Sequence, residues 1–183
     1  PRKLGVTGVC EFVNDPKYEQ DQVNLQYTLF ITRTYFKGNY IHQMQNEIYN
    51  PNSGRFLGLA GAKVDAYCGD RDSFVGTYRS YSNPKGIEEG LKGDLNYNTN
   101  SVGALESDII LQPGETKELT YVLGGQKTEA EITEIISRYE KSGAVEAELA
   151  QLKNYWHSKL DNLQVNTPDK NFNNMVNTWN AYN

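Results

Sequence analysis

Apolar side chains alternate with polar ones along most of the first 124 residues, and after Gly124–Gly125 they recur at helical spacing instead. Alternation with a period of two is typical of half-buried β-strands, because successive side chains point to opposite faces of a sheet. It predicts strands near residues 4–12, 25–32 and 40–48, with extended chain again over 55–67. Since polar turns rather than helices separate these segments, we expect an antiparallel β-sandwich.

Two turn signals interrupt the predicted strands. Asn50–Gly54 (NPNSG) contains a proline, whose ring fixes φ, together with Asn and Gly residues, which tolerate left-handed geometry. Pro113–Gly114 lies between the alternating segments 105–111 and 119–123. Two alternating segments on either side of a short turn predict a β-hairpin.

Two amphipathic helices are predicted after the strands. The first begins at Thr128, because Glu131 three residues later completes a capping box, and it ends at the Ser-Gly-Ala sequence 142–144. The second follows directly. Apolar residues recur every three or four positions in both helices: Ile132, Ile135, Ile136 and Tyr139 in the first, and Val145, Leu149, Leu152, Trp156 and Leu160 in the second.

The final segment, TPDKNFNNMVNTWNAYN, is predicted as a third helix of about four turns. Thr167 is the expected N-cap, Pro168 occupies the preferred first position, and Asp169 suits the positive end of the helix. One face carries large apolar residues: Phe172, Met175, Val176, Trp179 and Tyr182. Because burying each is worth about 1.5–3 kcal/mol, we expect this face to have a partner. The partner is either the preceding structure or, as we favour, a further domain beyond this sequence.

Composition excludes several classes of partner. The formal net charge of −5 argues against nucleic acid and anionic membrane surfaces, and no apolar stretch approaches the length of a bilayer span. Cys10 and Cys68 are too few for a disulfide framework, so we expect two buried free thiols and a cytoplasmic protein. With His42 and His157 they form no metal-ligand spacing, so no metal site is expected. The start without Met indicates a natural N-terminus further upstream.

The densest group of carboxylates lies around Arg71 and consists of Asp65, Asp70 and Asp72. Two interpretations are open. Asp70 and Asp72 either accept hydrogen bonds from sugar hydroxyls or act as a general acid, or they bind nearby backbone amides in a loop and pair with Arg71, which we favour. No nucleophile elbow, phosphate-binding loop or dinucleotide fingerprint occurs.

Aromatic and bidentate polar side chains follow this group, at Tyr78, Arg79, Tyr81 and Asn83. Their combination suits carbohydrate, since sugar C–H faces stack on rings while hydroxyls take polar contacts. From the residues alone, the chain is a binding or accessory module.

Three segments, GDRDSFVGTYRSYSNP (69–84), LQPGETKELTYVLG (111–124) and NTPDKNFNNMVNTWNAYN (166–183), resemble glycoside hydrolase family 94, the cellobiose, cellodextrin and chitobiose phosphorylases. The resemblance implies a mainly β chain with added helices. Residues 1–125 would form a galactose-mutarotase-like β-sandwich, 126–165 a two-helix linker, and 166–183 the first helix of a catalytic (α/α)6 barrel.

The same resemblance implies inverting phosphorolysis, in which inorganic phosphate releases α-glucose 1-phosphate from cellobiose or cellodextrins. In this family the catalytic acid belongs to the barrel, so no catalytic residue and no cofactor other than co-substrate phosphate is expected here. Expected partners are a β-glucoside oligosaccharide, the barrel of the same chain and a second copy in a homodimer. Substrate contacts are expected from Tyr78, Arg79 and Tyr81, at the cleft rim, and from Asp72.

One segment departs from the cellobiose phosphorylase pattern. Between Phe36 and Phe56 the chain reads IHQMQNEIYNPNSGRF and lacks a charged Tyr-Arg-Glu-Arg-type run. A cellodextrin or another β-oligoglucan is therefore equally open as substrate. Two alternatives to a phosphorylase segment also remain, an autonomous carbohydrate-binding module and a dimerisation domain that binds no sugar.

Overall fold

The computed structural model describes residues 1–12, 32–45, 54–97, 99–125 and 128–179. The chain divides into two units, Pro1–Glu140 and Lys141–Asn183. The predicted strand near 25–32 lies outside the described residues except for Thr32, as does the predicted turn at Asn50–Gly54 except for Gly54.

Two antiparallel sheets form the first unit within the described residues. Their strands are β1 (Arg2–Phe12), β2 (Thr32–Lys37), β3 (Tyr40–Gln45), β4 (Gly54–Ala60), β5 (Ala66–Asp70), β6 (Ser101–Leu111) and β7 (Thr120–Gly124). The three-stranded sheet has the order β1-β6-β5 and the four-stranded sheet the order β2-β3-β4-β7. The predicted antiparallel sandwich is confirmed.

The predicted hairpin across Pro113–Gly114 is wrong. A turn does form there, because the Gln112 carbonyl accepts from the Glu115 amide at 3.0 Å and the Glu115 carboxylate accepts from the Gln112 amide at 2.8 Å. However, β6 pairs with β1 and β5, whereas β7 pairs with β4 in the other sheet. The alternating pattern specifies which side chains face a core, but it does not specify which strands become neighbours.

The apolar core between the two sheets contains Phe12, Ile41, Leu57, Leu59 and Leu105, each exposed by 4% or less. Tyr121 crosses this layer from β7, since its hydroxyl donates to the Val6 carbonyl at 3.0 Å. Its ring lies against Gly8 of β1, where an added Cβ would come within 2.4 Å of the ring carbon Cδ1. Gly8 therefore provides the space that Tyr121 needs to reach the opposite sheet.

Helices also cover part of the outer face of each sheet. Helix α3 (Glu129–Arg138) buries Ile132 and Ile136 against the four-stranded sheet, together with Tyr40, Phe56, Ala60 and Val122. The predicted capping box between Thr128 and Glu131 is confirmed. Two short helices, α1 (Arg71–Val75) and α2 (Lys85–Glu89), lie next to each other after β5. Cys68, Phe74, Val75, Val102 and Ala104 form the core between α1 and the three-stranded sheet.

The second unit contains α4 (Ala144–Leu160) and α5 (Lys170–Asn177). The predicted break at Ser142–Ala144 is confirmed, because Gly143 adopts φ 79° immediately before α4. Since α3 belongs to the first unit and α4 to the second, the use of 126–165 as a linker stays a prediction. Of the helices in the described part of the chain, none has the length and apolarity to cross a bilayer.

The N-cap of α5 is Asp169 rather than the predicted Thr167, and within the described residues the helix ends at Asn177. The Asp169 carboxylate accepts from the amides of Asn171 at 2.9 Å and Phe172 at 3.2 Å. Thr167 is instead bound by Asn173, whose side-chain amide accepts from the Thr167 amide at 2.9 Å and donates to its carbonyl at 2.8 Å. Asn177, one turn later, binds both backbone groups of Val165 in the same way, each at 2.8 Å.

Replacing Gly8 with alanine is expected to destabilise the first unit by about 1–3 kcal/mol, since the new methyl group overlaps the Tyr121 ring. Gly5→Ala in the same strand is the control, because its Cβ would meet only the ends of the Glu106 side chain at 3.3 Å and the Asp108 side chain at 3.6 Å. Urea denaturation of both variants measures the difference. Equal midpoints for the two variants would show that Tyr121 does not depend on Gly8.

Candidate functional site

The four predicted contact residues lie on one continuous segment that leaves the three-stranded sheet at Asp70. This segment comprises α1 and the loop 76–84, and it ends at α2. Phe74 and Val75 anchor α1 because they are 1% and 5% exposed in the core beneath it. The loop is therefore held on a packed base.

Asp70 has a structural role at the start of this segment. One carboxylate oxygen accepts from the Ser73 amide at 2.7 Å and caps α1, and the other accepts from the Thr99 hydroxyl at 3.0 Å. Both oxygens are thus bound within the protein. For Asp70, the geometry fits the backbone-binding interpretation rather than the general acid.

Asp72 lies in the first turn of α1 with an exposed side chain. Its Oδ1 is 3.6 Å from an Arg71 terminal nitrogen, a loose contact for an ion pair. Arg71 makes its shorter contact elsewhere, from Nε to the Glu11 carboxylate at 2.9 Å. Asp72 consequently presents a carboxylate to solvent beside the loop.

Tyr81 joins Arg71 and Glu11 in a cluster that sequence reasoning missed. The Arg71 guanidinium carbon is 5.5 Å from the centre of the Tyr81 ring, and the Phe74 ring lies 6.3 Å away on the α1 side. Burial and a hydrogen bond to Glu11 raise the pKa of the Tyr81 hydroxyl. Because Glu11 lies near the end of β1, sixty positions before Arg71, no local pattern indicates their contact.

Tyr78 and Arg79 differ in what they contact. Tyr78 is fully exposed and adopts φ 61°, a left-handed conformation that is uncommon for a large side chain. Such backbone conformations cost about 1–3 kcal/mol and concentrate at functional sites. Arg79 is paired with Glu88 of α2. Tyr81 therefore lies against side chains of α1 and Arg79 pairs with a side chain of α2, whereas the Tyr78 ring is exposed to solvent.

The cavity beside this segment is too small for a sugar ring. It has a volume of about 60 Å³ and is lined by residues that include Cys68, Ser73, Phe74 and Lys85. Ligand pockets usually measure about 300–1,000 Å³. The segment can thus contribute one wall or an edge to a ligand site, but the cavity itself does not enclose a sugar.

The two cysteines are both free, as predicted, but only Cys68 is buried, whereas Cys10 is half-buried. Burial raises the pKa of the Cys68 thiol to about 11. Within the described ranges, no group of three acidic, histidine or cysteine side chains has the arrangement of a metal site.

Asp70→Ala is expected to destabilise the first unit by about 1–2 kcal/mol, because it removes the cap of α1 and the partner of Thr99. Asp72→Ala is the matched control, since its side chain is exposed and loosely bound. Chemical denaturation followed by the circular dichroism of the β-sheets compares them, because both tryptophans, Trp156 and Trp179, lie in the second unit. An Asp72→Ala variant less stable than Asp70→Ala would contradict this assignment.

Cys68 is expected to resist alkylation by iodoacetamide at pH 8 in the folded protein, since with a pKa of about 11 only about one thiol in a thousand is ionised. Its modification should begin as the pH approaches that pKa or when urea unfolds the chain. Mass spectrometry of peptides containing Cys68 and Cys10 measures both rates. Faster modification of Cys68 than of Cys10 at pH 8 would be the contrary result.

Residues 1–142 match the family model described as the glycosyl hydrolase 94 supersandwich domain. Over the whole chain, the sequence is 29% identical to the N,N'-diacetylchitobiose phosphorylase of Vibrio furnissii, and the match covers 22% of that protein. The protein of the same name from Vibrio proteolyticus is 28% identical over 90% of the chain and 20% of its own length.

The cellobionic acid phosphorylase of Neurospora crassa is 27% identical over 98% of the chain and 22% of its own length. The chain therefore spans about a fifth of the length of these curated relatives. All three relatives carry the name of a phosphorylase that acts on a disaccharide or its acid.

Proposed function

Because the chain belongs to glycoside hydrolase family 94, we propose that it supplies the sandwich portion of a phosphorylase that cleaves a β-linked disaccharide with inorganic phosphate. The observation that carries this proposal is the similarity to a named phosphorylase along the entire chain, beyond the sandwich and through α4 and α5. The predicted barrel-entry role of residues 166–183 forms part of the proposal.

The proposed reaction is inverting. An oxygen of inorganic phosphate forms a bond to the anomeric carbon as the glycosidic bond breaks, and a carboxylic acid protonates the departing oxygen. Because phosphate is itself the nucleophile, the reaction needs no base to activate water, unlike an inverting hydrolysis with its two carboxylates. We assign the acid to a part of the protein beyond this chain, and no described residue is proposed as catalytic.

The proposed substrate is a β-linked disaccharide of glucose or N-acetylglucosamine. Cellobiose and cellodextrins follow from the resemblance described above, whereas the names of the two Vibrio relatives favour N,N'-diacetylchitobiose. Phosphorolysis of a glucoside gives α-glucose 1-phosphate, and the corresponding reaction of the acetamido sugar gives its 1-phosphate.

We propose that the loop 76–84 contributes to the rim of the sugar-binding cleft. The exposed Tyr78 ring offers a stacking face, Asp72 offers an exposed carboxylate, and the Glu11–Arg71–Tyr81 cluster holds the base of the loop. Arg79 positions the far side of the loop through its pairing with Glu88. An autonomous carbohydrate-binding module would use the same exposed groups, but the similarity through α4 and α5 favours the phosphorylase.

The direct test is phosphorolysis by the protein expressed from its complete gene. We expect phosphate-dependent cleavage of N,N'-diacetylchitobiose, cellobiose or cellotetraose, with an α-configured sugar 1-phosphate as product. Phosphorus NMR identifies the product and its anomeric configuration. Reactions without phosphate are the control, and cleavage at the same rate without phosphate would identify a hydrolase instead. No turnover of any of these substrates, nor of cellobionic acid, would refute the proposal.

Alanine at Tyr78 is expected to raise the KM for the disaccharide about tenfold, because one stacking face is lost at the rim while the loop fold is retained. Ile110→Ala, another exposed apolar side chain on β6, is the control. Steady-state kinetics at saturating phosphate measures both. An unchanged KM in Tyr78→Ala would remove Tyr78 from the rim.

A further inference from the structure

A second exposed aromatic surface lies on β2, the outermost of the four described strands in its sheet. Thr32, Thr34 and Phe36 face the other sheet, and Phe36 stacks on Tyr67 of β5 with ring centres 3.8 Å apart. Arg33 and Tyr35, at the alternate positions, therefore project from the opposite face of β2. The segment 94–97 lies beside them, since Tyr97 forms an antiparallel bridge with Arg33.

Arg33 is held between two tyrosines. Its guanidinium carbon lies 4.6 Å from the centre of the Tyr97 ring, and a terminal nitrogen donates to the Tyr97 hydroxyl at 3.1 Å. A side-chain hydrogen bond with Tyr35, followed by that with Tyr97, raises the pKa of Arg33. The two tyrosines nevertheless remain 40% and 62% exposed, respectively. The guanidinium covers one face of Tyr97 and leaves much of the ring to solvent.

Buried polar contacts hold Tyr97 in place. Its neighbour Asn96 is 3% exposed, and the Asn96 amide donates to the Thr34 hydroxyl at 2.6 Å. The Asn96 side chain accepts from the Thr32 hydroxyl at 3.2 Å and donates to the Asn100 carbonyl at 3.0 Å. The exposed ring is thus attached to a fixed backbone, which reduces the entropy lost when a ligand binds.

We propose that Tyr35, Arg33 and Tyr97 form a glycan-binding platform that holds a linear β-linked oligosaccharide on the outer face of β2. The choice of glycan class rests on the proposed function. Tyr35 and Tyr97 occupy diagonal positions across the strand pair, where backbones are about 7–8 Å apart, so one extended glycan can contact both rings. Stacking on the rings supplies the apolar contact, and Arg33 supplies donors to ring or hydroxyl oxygens.

The chemistry favours a neutral glycan over a polyanion. The formal net charge of the chain is −5, which opposes nucleic acid. Arg33 is also engaged with two tyrosine hydroxyls, so its donors are arranged beside aromatic faces rather than gathered with other cations. The platform would retain long substrates near the protein, and it does not include the loop 76–84.

The test is affinity electrophoresis of the protein expressed from its complete gene, in gels containing hydroxyethylcellulose or glycol chitin and no phosphate. We expect one of these polymers to retard the protein, and we expect Tyr97→Ala and Tyr35→Ala to weaken that binding about tenfold. Tyr97→Phe should retain binding within about threefold, because the stacking ring remains. Tyr155→Ala, an exposed tyrosine of α4, is the control and should leave retardation unchanged.

Thermal unfolding of each variant checks the fold, and Tyr97→Phe keeps the test valid if an alanine variant unfolds. The platform proposal would be overturned if neither polymer slowed the migration of the wild-type protein. It would also be overturned if Tyr97→Ala were retarded as strongly as the wild-type protein. If Tyr97→Phe lost as much binding to the polymer as Tyr97→Ala, stacking on the ring would be overturned as the basis of glycan binding. Retardation without phosphate-dependent cleavage would support the platform and refute the proposed function. Phosphate-dependent cleavage without retardation would support the proposed function and refute the platform.

Discussion

The packing of α1 on the outer face of the three-stranded sheet is the contact on which the candidate site depends. Phe74 and Val75 insert into an apolar layer formed by strand residues such as Cys68, Val102 and Ala104. This layer fixes the direction in which the chain leaves β5. The loop that carries Tyr78, Arg79 and Tyr81 is therefore positioned by a core and not by its own sequence, which is polar and rich in turn-forming residues.

A buried polar network connects this region with the platform on β2. Asn96 binds Thr32, Thr34 and the segment near Asn100, and Thr99 in turn binds the carboxylate that caps α1. Thr32, Thr34 and Asn96 are buried and would be costly to bury without partners, so their bonds specify one arrangement of residues 94–97. The same network that aligns Asp70 on one side holds Tyr97 on the other. Both surfaces consequently rest on one set of contacts between the two sheets.

Some strands are packed on both faces, against the other sheet and against a helix. This explains why the alternation of apolar and polar residues in this chain is less regular than in a simple sandwich. Along β3 and β4, residues that face α3 and residues that face the other sheet are both buried, including Tyr40, Ile41, Phe56 and Leu57. Strict alternation of apolar and polar residues is typical of strands that have one buried face and one solvent-exposed face. Where a helix covers the second face, apolar residues occupy successive positions, and glycines such as Gly58 leave room for the helix side chains.

What the sequence determined by itself was local. The period of two, the capping box at Thr128 and the break before α4 all follow from interactions between residues a few positions apart, and each was predictable. The short helices α1 and α2 between β5 and β6 were not predicted, since only polar turns were expected between the strands. The family resemblance was likewise readable from three segments. The N-cap of α5 was missed because Asn173, six residues ahead, binds Thr167 and leaves the cap to Asp169.

Tertiary structure decided what depends on distant contacts. Three kinds of contact join positions that are about 60 or more residues apart in the chain: the pairing of β6 with β1 and of β7 with β4, the Glu11–Arg71 ion pair, and the pairing of Arg33 with Tyr97. A repeating pattern shows that a side chain needs burial or a partner, but many distant partners satisfy that need equally well. Only the packing of the two sheets selects among them, because it minimises exposed apolar surface over the whole unit rather than within any one segment.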